Sequence, residues 1–161
     1  MKIGIFNSSW INMGNAFFEL GLLSFLQKHF NKHEYFSLED PAPPKTPRRD
    51  KLNDNVFRIA TLQDVDLYVF TGPILKRFVL PEYDYKSLIR DLKKRGKQYA
   101  ILSASSSEMS NEQVQEVAAF LNEVPPVCFA TRDEDTYNRF KSLVSFCHNG
   151  ICCAFLIPFI D

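Results

Sequence analysis

The sequence predicts an α/β domain built on a mostly parallel sheet with helices on both faces. Three observations predict it. Short apolar runs alternate along the chain with longer amphipathic stretches, the pattern of repeated strand and helix units. Residues 67–70 (LYVF) form a continuous apolar run, which suits a strand buried on both faces. Cap and turn residues punctuate the alternation, and right-handed crossovers then make the strands parallel neighbours.

The first strand is expected over residues 2–6. The loop NSSWINMGN follows and opens a helix over 15–30, with apolar positions at Phe17, Leu20, Gly21, Phe25 and Leu26 facing the core. Lys28 and His29 in its last turn complement the helix dipole. A second strand is expected over 33–38. Residues 41–55 hold four prolines within seven positions, which forbids a helix or central strand and makes this segment a surface loop.

After the run at 67–70, a helix is expected over 84–95 with Gly96 as its C-terminal cap, then a strand over 99–102. Ser110 with Gln113 forms a capping box for the next helix, whose inward face carries Val114, Val117, Ala118 and Leu121. Pro125 and Pro126 stop that helix, and residues 127–130 form a strand. Thr131 with Glu134 reads as a second capping box, opening a helix to Leu143 with Tyr137, Phe140 and Leu143 inward. A closing strand is expected over 151–156.

Composition bounds the function. The chain has 161 residues, with 19 Lys+Arg against 19 Asp+Glu, so it carries no net charge and lacks the basic excess that a nucleic-acid footprint needs. With 15 Phe, 6 Tyr and one Trp it has ample apolar surface for a single core over 1–161, and disorder is excluded. The apolar run after Met1 is too short for a signal-peptide core, and the run at 151–160 is half a bilayer span, so a cytoplasmic chain with no membrane span is expected. Its four cysteines are expected to be free.

In such a sheet, ligands sit at the carboxyl ends of the strands where strand order reverses. Four loops qualify: residues 7–15, 71–75, 103–107 and 131–133. In the first, Asn7, Ser8, Ser9, Asn12, Gly14 and Asn15 at a helix N-terminus offer a site for phosphate or carboxylate, or form an ordinary βα turn. Gly72 supplies flexibility in the second. In the third, Ser103 and Ser105 either bond a ligand or serve the turn, and no GxSxG elbow is present. In the fourth, Arg132 is placed to hold a carboxylate or phosphate, or pairs with a neighbouring acid. His29, His33 and His148 fall outside these loops, which leaves the general acid and base unassigned. Cys147, His148, Cys152 and Cys153 lack a C-x-x-C pair, so neither a metal nor a cofactor is expected. Asp64 and Asp66 precede a strand and belong to its amino end, as structural groups.

Read in order, the NMGN turn, DVDLYVFTGPIL, YAILSAS, CFATRDEDTYNRF and NGICCAFLIP resemble the N-terminal half of the polysaccharide pyruvyl transferase family. Arg132-Asp133 matches the family's helix start, with Thr136 in its Ser position. Asn15 stands where the family turn carries Asp, Thr71-Gly72-Pro73 replaces a run of glycines, and Cys152-Cys153 stands where an Asp begins the pattern. The resemblance implies a Rossmann-like fold similar to one half of a two-domain, GT-B-like glycosyltransferase. It implies transfer of a pyruvyl group from phosphoenolpyruvate to a sugar hydroxyl of a polysaccharide, in glycan biosynthesis. It also implies a second domain, chain or copy that supplies basic residues across a cleft. Two other readings stand beside it: a non-catalytic ligand- or protein-binding module of the same fold, and a flavodoxin-like flavin domain.

Overall fold

A computed structural model describes residues 1–7, 13–39, 64–81 and 83–159. The expected loop at 41–55 lies outside them. The described chain runs β1 (Lys2–Asn7), α1 (Met13–His29), β2 (Glu34–Glu39), β3 (Leu67–Thr71), α2 (Ile74–Arg77), α3 (Tyr85–Lys94), β4 (Gln98–Ala104), α4 (Asn111–Glu123), β5 (Cys128–Thr131), α5 (Glu134–Phe140), β6 (Cys147–His148) and a 3-10 turn, Cys153–Phe159. The six strands form one sheet in the order β2-β1-β3-β4-β5-β6, and every pairing is parallel. The Rossmann-like α/β fold expected from the sequence is therefore present.

Alternation along the strands divides the interior into two layers. Phe6, Tyr68, Phe70, Tyr99, Ile101 and Phe129 point to one face, where α3, α4 and α5 cover them with Leu88, Leu92, Val117, Leu121 and Phe140. Ile3, Ile5 and Val69 point to the other, under Leu22 of α1 and Cys153 of the 3-10 turn.

Local signals explain most of the boundaries. Ser110 and Gln113 form the expected capping box, with the Gln113 amide donating to Ser110 Oγ at 3.3 Å. Gly96, at φ +71, ends α3 in a Schellman motif, its N–H donating to the Lys93 carbonyl and that of Lys97 to the Leu92 carbonyl. Asp64 and Asp66 are structural, as expected: the Lys2 amide donates to Asp66 at 2.8 Å, and Asp64 lies 3.3 Å from both the Lys2 and Lys97 ammonium groups.

Two regions of the C-terminal half and one face of α1 depart from expectation. Thr131 does not cap α5: it is drawn into β5 opposite Ala104, and Asp133 caps the helix instead, accepting from the Thr136 amide at 2.7 Å. That helix ends at Phe140, and Leu143 packs on the core from the segment beyond. The closing strand at 151–156 is absent; the sixth strand is Cys147–His148, and the chain crosses the carboxyl end of the sheet to form the 3-10 turn over α1. Gly150 permits that crossing, since a Cβ there would lie 2.5 Å from the Thr131 carbonyl oxygen.

The inward face of α1 is the third correction. Phe17 and Leu20 are half exposed, at 50% and 49%, while Gly21 and Leu22 are buried. Gly21 and Leu26 face inward as expected, and Gly21 lets the helix settle directly on the backbone of Cys153. Tyr35 secures the far end of α1, with its hydroxyl 2.8 Å from the Phe30 carbonyl and 3.0 Å from that of Leu26.

Candidate functional site at the carboxyl edge of the sheet

Strand order reverses between β1 and β3, so the crevice that the topology opens lies between Asn7 at the end of β1 and Gly72 just past β3. Asn7 closes the first strand and Gly14 and Asn15 lie in the first turn of α1, bringing backbone from that loop to this edge. Ser8, Ser9 and Asn12 lie outside the described residues. Gly72 adopts φ +70, a conformation that favours glycine, and a Cβ there would touch the Phe18 ring at 3.4 Å.

Phe18 joins this crevice to Arg132. The Arg132 backbone N–H donates to the Ala104 carbonyl at 2.8 Å, which fixes the residue at the end of β5. From there its guanidinium reaches back toward α1 and lies 5.6 Å from the Phe18 ring centroid, a cation–π contact. Its ion pair among the described residues is long, 3.7 Å from Nε to Asp133. The Asp133 carboxyl is pushed up by burial, but bonds from the Thr136 amide and hydroxyl and from Ser105, with the Arg132 charge, outweigh this and hold it below the usual Asp range. Asp133 therefore stays ionised, and the guanidinium is steadied between a carboxylate and an aromatic face with most of its fork unspent among the described residues.

Ser103 and Ser105 have partners within the chain. Ser103 sits at φ +58, in the left-handed region, and its buried hydroxyl accepts from the Cys153 N–H at 3.0 Å. It ties the end of β4 to the 3-10 turn. Replacing Ser103 by Ala leaves that buried amide unsatisfied, and the expected cost is about 1–3 kcal/mol, read as a lower urea midpoint with unchanged slope. The Ser105 hydroxyl donates to Ser107 Oγ at 3.3 Å and receives the Ser107 N–H at 3.5 Å.

Beside Arg132, residues Ser105–Ser107, Asp133, Thr136, Asn138 and Arg139 line an open groove of about 670 Å³. Arg139 escaped the sequence reading, because an arginine late in a helix looks like a solvated dipole partner. His148 falls outside the four loops but ends β6 opposite Ala130, and so lies, exposed, at the carboxyl edge.

The cysteine segment shows no metal geometry. Among the described residues no three His, Cys, Asp or Glu gather as a ligand set, and all four cysteines are free. Burial pushes the Cys147 thiol up to about 11 and raises those of Cys128 and Cys153, so these sulfurs stay protonated. Among the described residues no helix is long and apolar enough to cross a membrane.

The candidate site is thus a carboxyl-edge crevice with a guanidinium largely unspent among the described residues, a glycine turn and a serine turn. A search of curated proteins finds no match to this chain. A family model described as polysaccharide pyruvyl transferase matches residues 12–161, a span containing Gly72, Ser103, Ser105, Arg132 and Asp133. That match covers nearly the whole chain in the order its own motifs suggested, and the chain belongs to the polysaccharide pyruvyl transferase family.

Proposed function

We propose that this domain takes part in transferring a pyruvyl group from phosphoenolpyruvate to a hydroxyl of a saccharide, in cytoplasmic glycan assembly, together with a second domain, chain or copy. Arg132 carries the reading. Its guanidinium is held in place from two sides and, among the described residues, keeps donors for an anion. A bidentate pair of this kind recognises carboxylate or phosphate, and phosphoenolpyruvate offers both.

In the reaction, one sugar hydroxyl adds to the central carbon as the methylene gains a proton. Phosphate leaves with its bridging oxygen, and a second hydroxyl of the saccharide adds to that carbon and gives up its proton to close the ketal. Charge on the donor falls on Arg132 and on backbone N–H groups at the start of α1, near the sheet's reversal point. Ser8, Ser9 and Asn12 belong to that loop and are proposed contacts, as are Asn7, Gly14, Asn15 and Gly72. Ser103 and Ser105 act by holding the edge in shape, Ser103 through the Cys153 N–H and Ser105 within the serine turn.

The test is thermal unfolding against phosphoenolpyruvate concentration for the wild type and Arg132→Ala. A ligand at a hundred times its dissociation constant stabilises by about 2.7 kcal/mol. The expected result is a concentration-dependent rise in the wild type and its loss in the variant. Equal rises in both proteins would remove Arg132 from the site.

A further inference from the structure

We infer that Arg139 is a positioning residue for the Arg132 site, acting through the serine turn. This rests on the ligand reading above.

One guanidinium on α5 holds four acceptors across the groove. Nη1 donates to the Ser106 carbonyl at 2.7 Å and lies 3.2 Å from Ser106 Oγ; Nη2 donates to the Met109 carbonyl at 2.7 Å and to Asn111 Oδ1 at 3.3 Å. Thr136, one turn earlier on the same helix, receives the Ser106 N–H at 2.9 Å. Ser106 is buried, at 1% exposure, so its backbone is gripped on both sides by α5.

That grip reaches Arg132 in two steps. Thr136, which takes the Ser106 N–H, donates its own N–H to the Asp133 carboxylate at 2.7 Å. Asp133 in turn pairs with Arg132. The two arginines of the groove therefore divide the work. Arg139 spends its fork on the turn, and Arg132 keeps its fork for a ligand. A lysine cannot copy the first role, because a single ammonium lacks the planar fork that spans Ser106 and Met109.

The variant is Arg139→Met, which keeps the apolar stem and removes the fork. Native-state amide exchange and phosphoenolpyruvate affinity are measured on the same preparations, well below the variant's melting point. The Ser106 and Met109 amides, both bonded within the turn, should exchange about tenfold faster, while Ile101 in β4 and Phe129 in β5 keep their wild-type rates. Phosphoenolpyruvate affinity should fall at least about fivefold, and millimolar methylguanidinium should restore part of it.

Uniform acceleration at Ile101 and Phe129 as well would make Arg139 a general stability residue and overturn the inference. So would a loosened turn with unchanged affinity. A wild type that does not bind phosphoenolpyruvate would overturn the ligand reading itself; binding by wild type and variant alike overturns only the positioning role.

Discussion

Gly21→Ala is expected to destabilise the domain by about 3 kcal/mol, lowering its melting temperature by roughly 6–12 °C. The sign is what makes this informative. In an ordinary helix interior the same change stabilises by up to about 1 kcal/mol, because alanine is the better helix former. Here the added methyl would lie 1.9 Å from the Cys153 carbonyl oxygen and 2.9 Å from its carbon, both backbone atoms. Neither partner can rotate away, so α1 must lift from the 3-10 turn. Lifting it strains the Ser103 bond to Cys153 and shifts Phe18, which touches Arg132. Differential scanning calorimetry of the variant checks the sign directly, with Gly96→Ala as a comparison that adds backbone strain but meets no atom within 4 Å.

Phe70→Ala is expected to cost about 3–5 kcal/mol, a large share of the roughly 5–15 kcal/mol that keeps a domain folded. Phe70 lies at the centre of the larger core with 1% exposure. Its ring stacks on Phe6 at 4.6 Å and meets Tyr85 and Tyr99 edge-on at 5.9 and 6.2 Å. The cavity left behind would border β1, β3, β4 and α3 at once. Because Tyr99 is anchored by its hydroxyl to the Val124 carbonyl, that ring cannot swing in to fill it. Phe70→Leu should recover more than half of the loss, since it replaces much of the volume. Equilibrium urea unfolding of both variants measures this.

The strands and the capping devices were legible because they depend on neighbouring residues. Ser110 with Gln113, and Gly96 after a lysine-rich turn, work through atoms three or four positions apart, and both formed as read. Thr131 was misread because strand pairing with β4 claimed it, a long-range bond that no local pattern displays. The C-terminal apolar run, which includes ICCAFLIP, looked like a strand by composition. Its fate was set by Gly150 passing over Thr131 and by Gly21 offering a flat place on α1, two contacts distant in sequence.

The site divides in the same way. Its proposed location at the carboxyl edge follows from the βα alternation, and the choice of Arg132 from its position after a strand. The roles of Ser103 and Ser105 were not readable as single choices, because a hydroxyl's partner depends on which backbone returns to it. Arg139 was invisible for the related reason that its acceptors lie about thirty residues back along the chain.

The central claim is that a phosphoenolpyruvate site lies at the carboxyl edge where β1, β3 and β5 end. Titration of the ¹⁵N-labelled protein with phosphoenolpyruvate, followed amide by amide, tests it most directly. The predicted result is saturable shifts at Gly14, Gly72, Arg132 and Asp133, with Asp64, Asp66 and Lys97 at the opposite edge unmoved. Shifts confined to the opposite edge, or none at millimolar ligand, would contradict it.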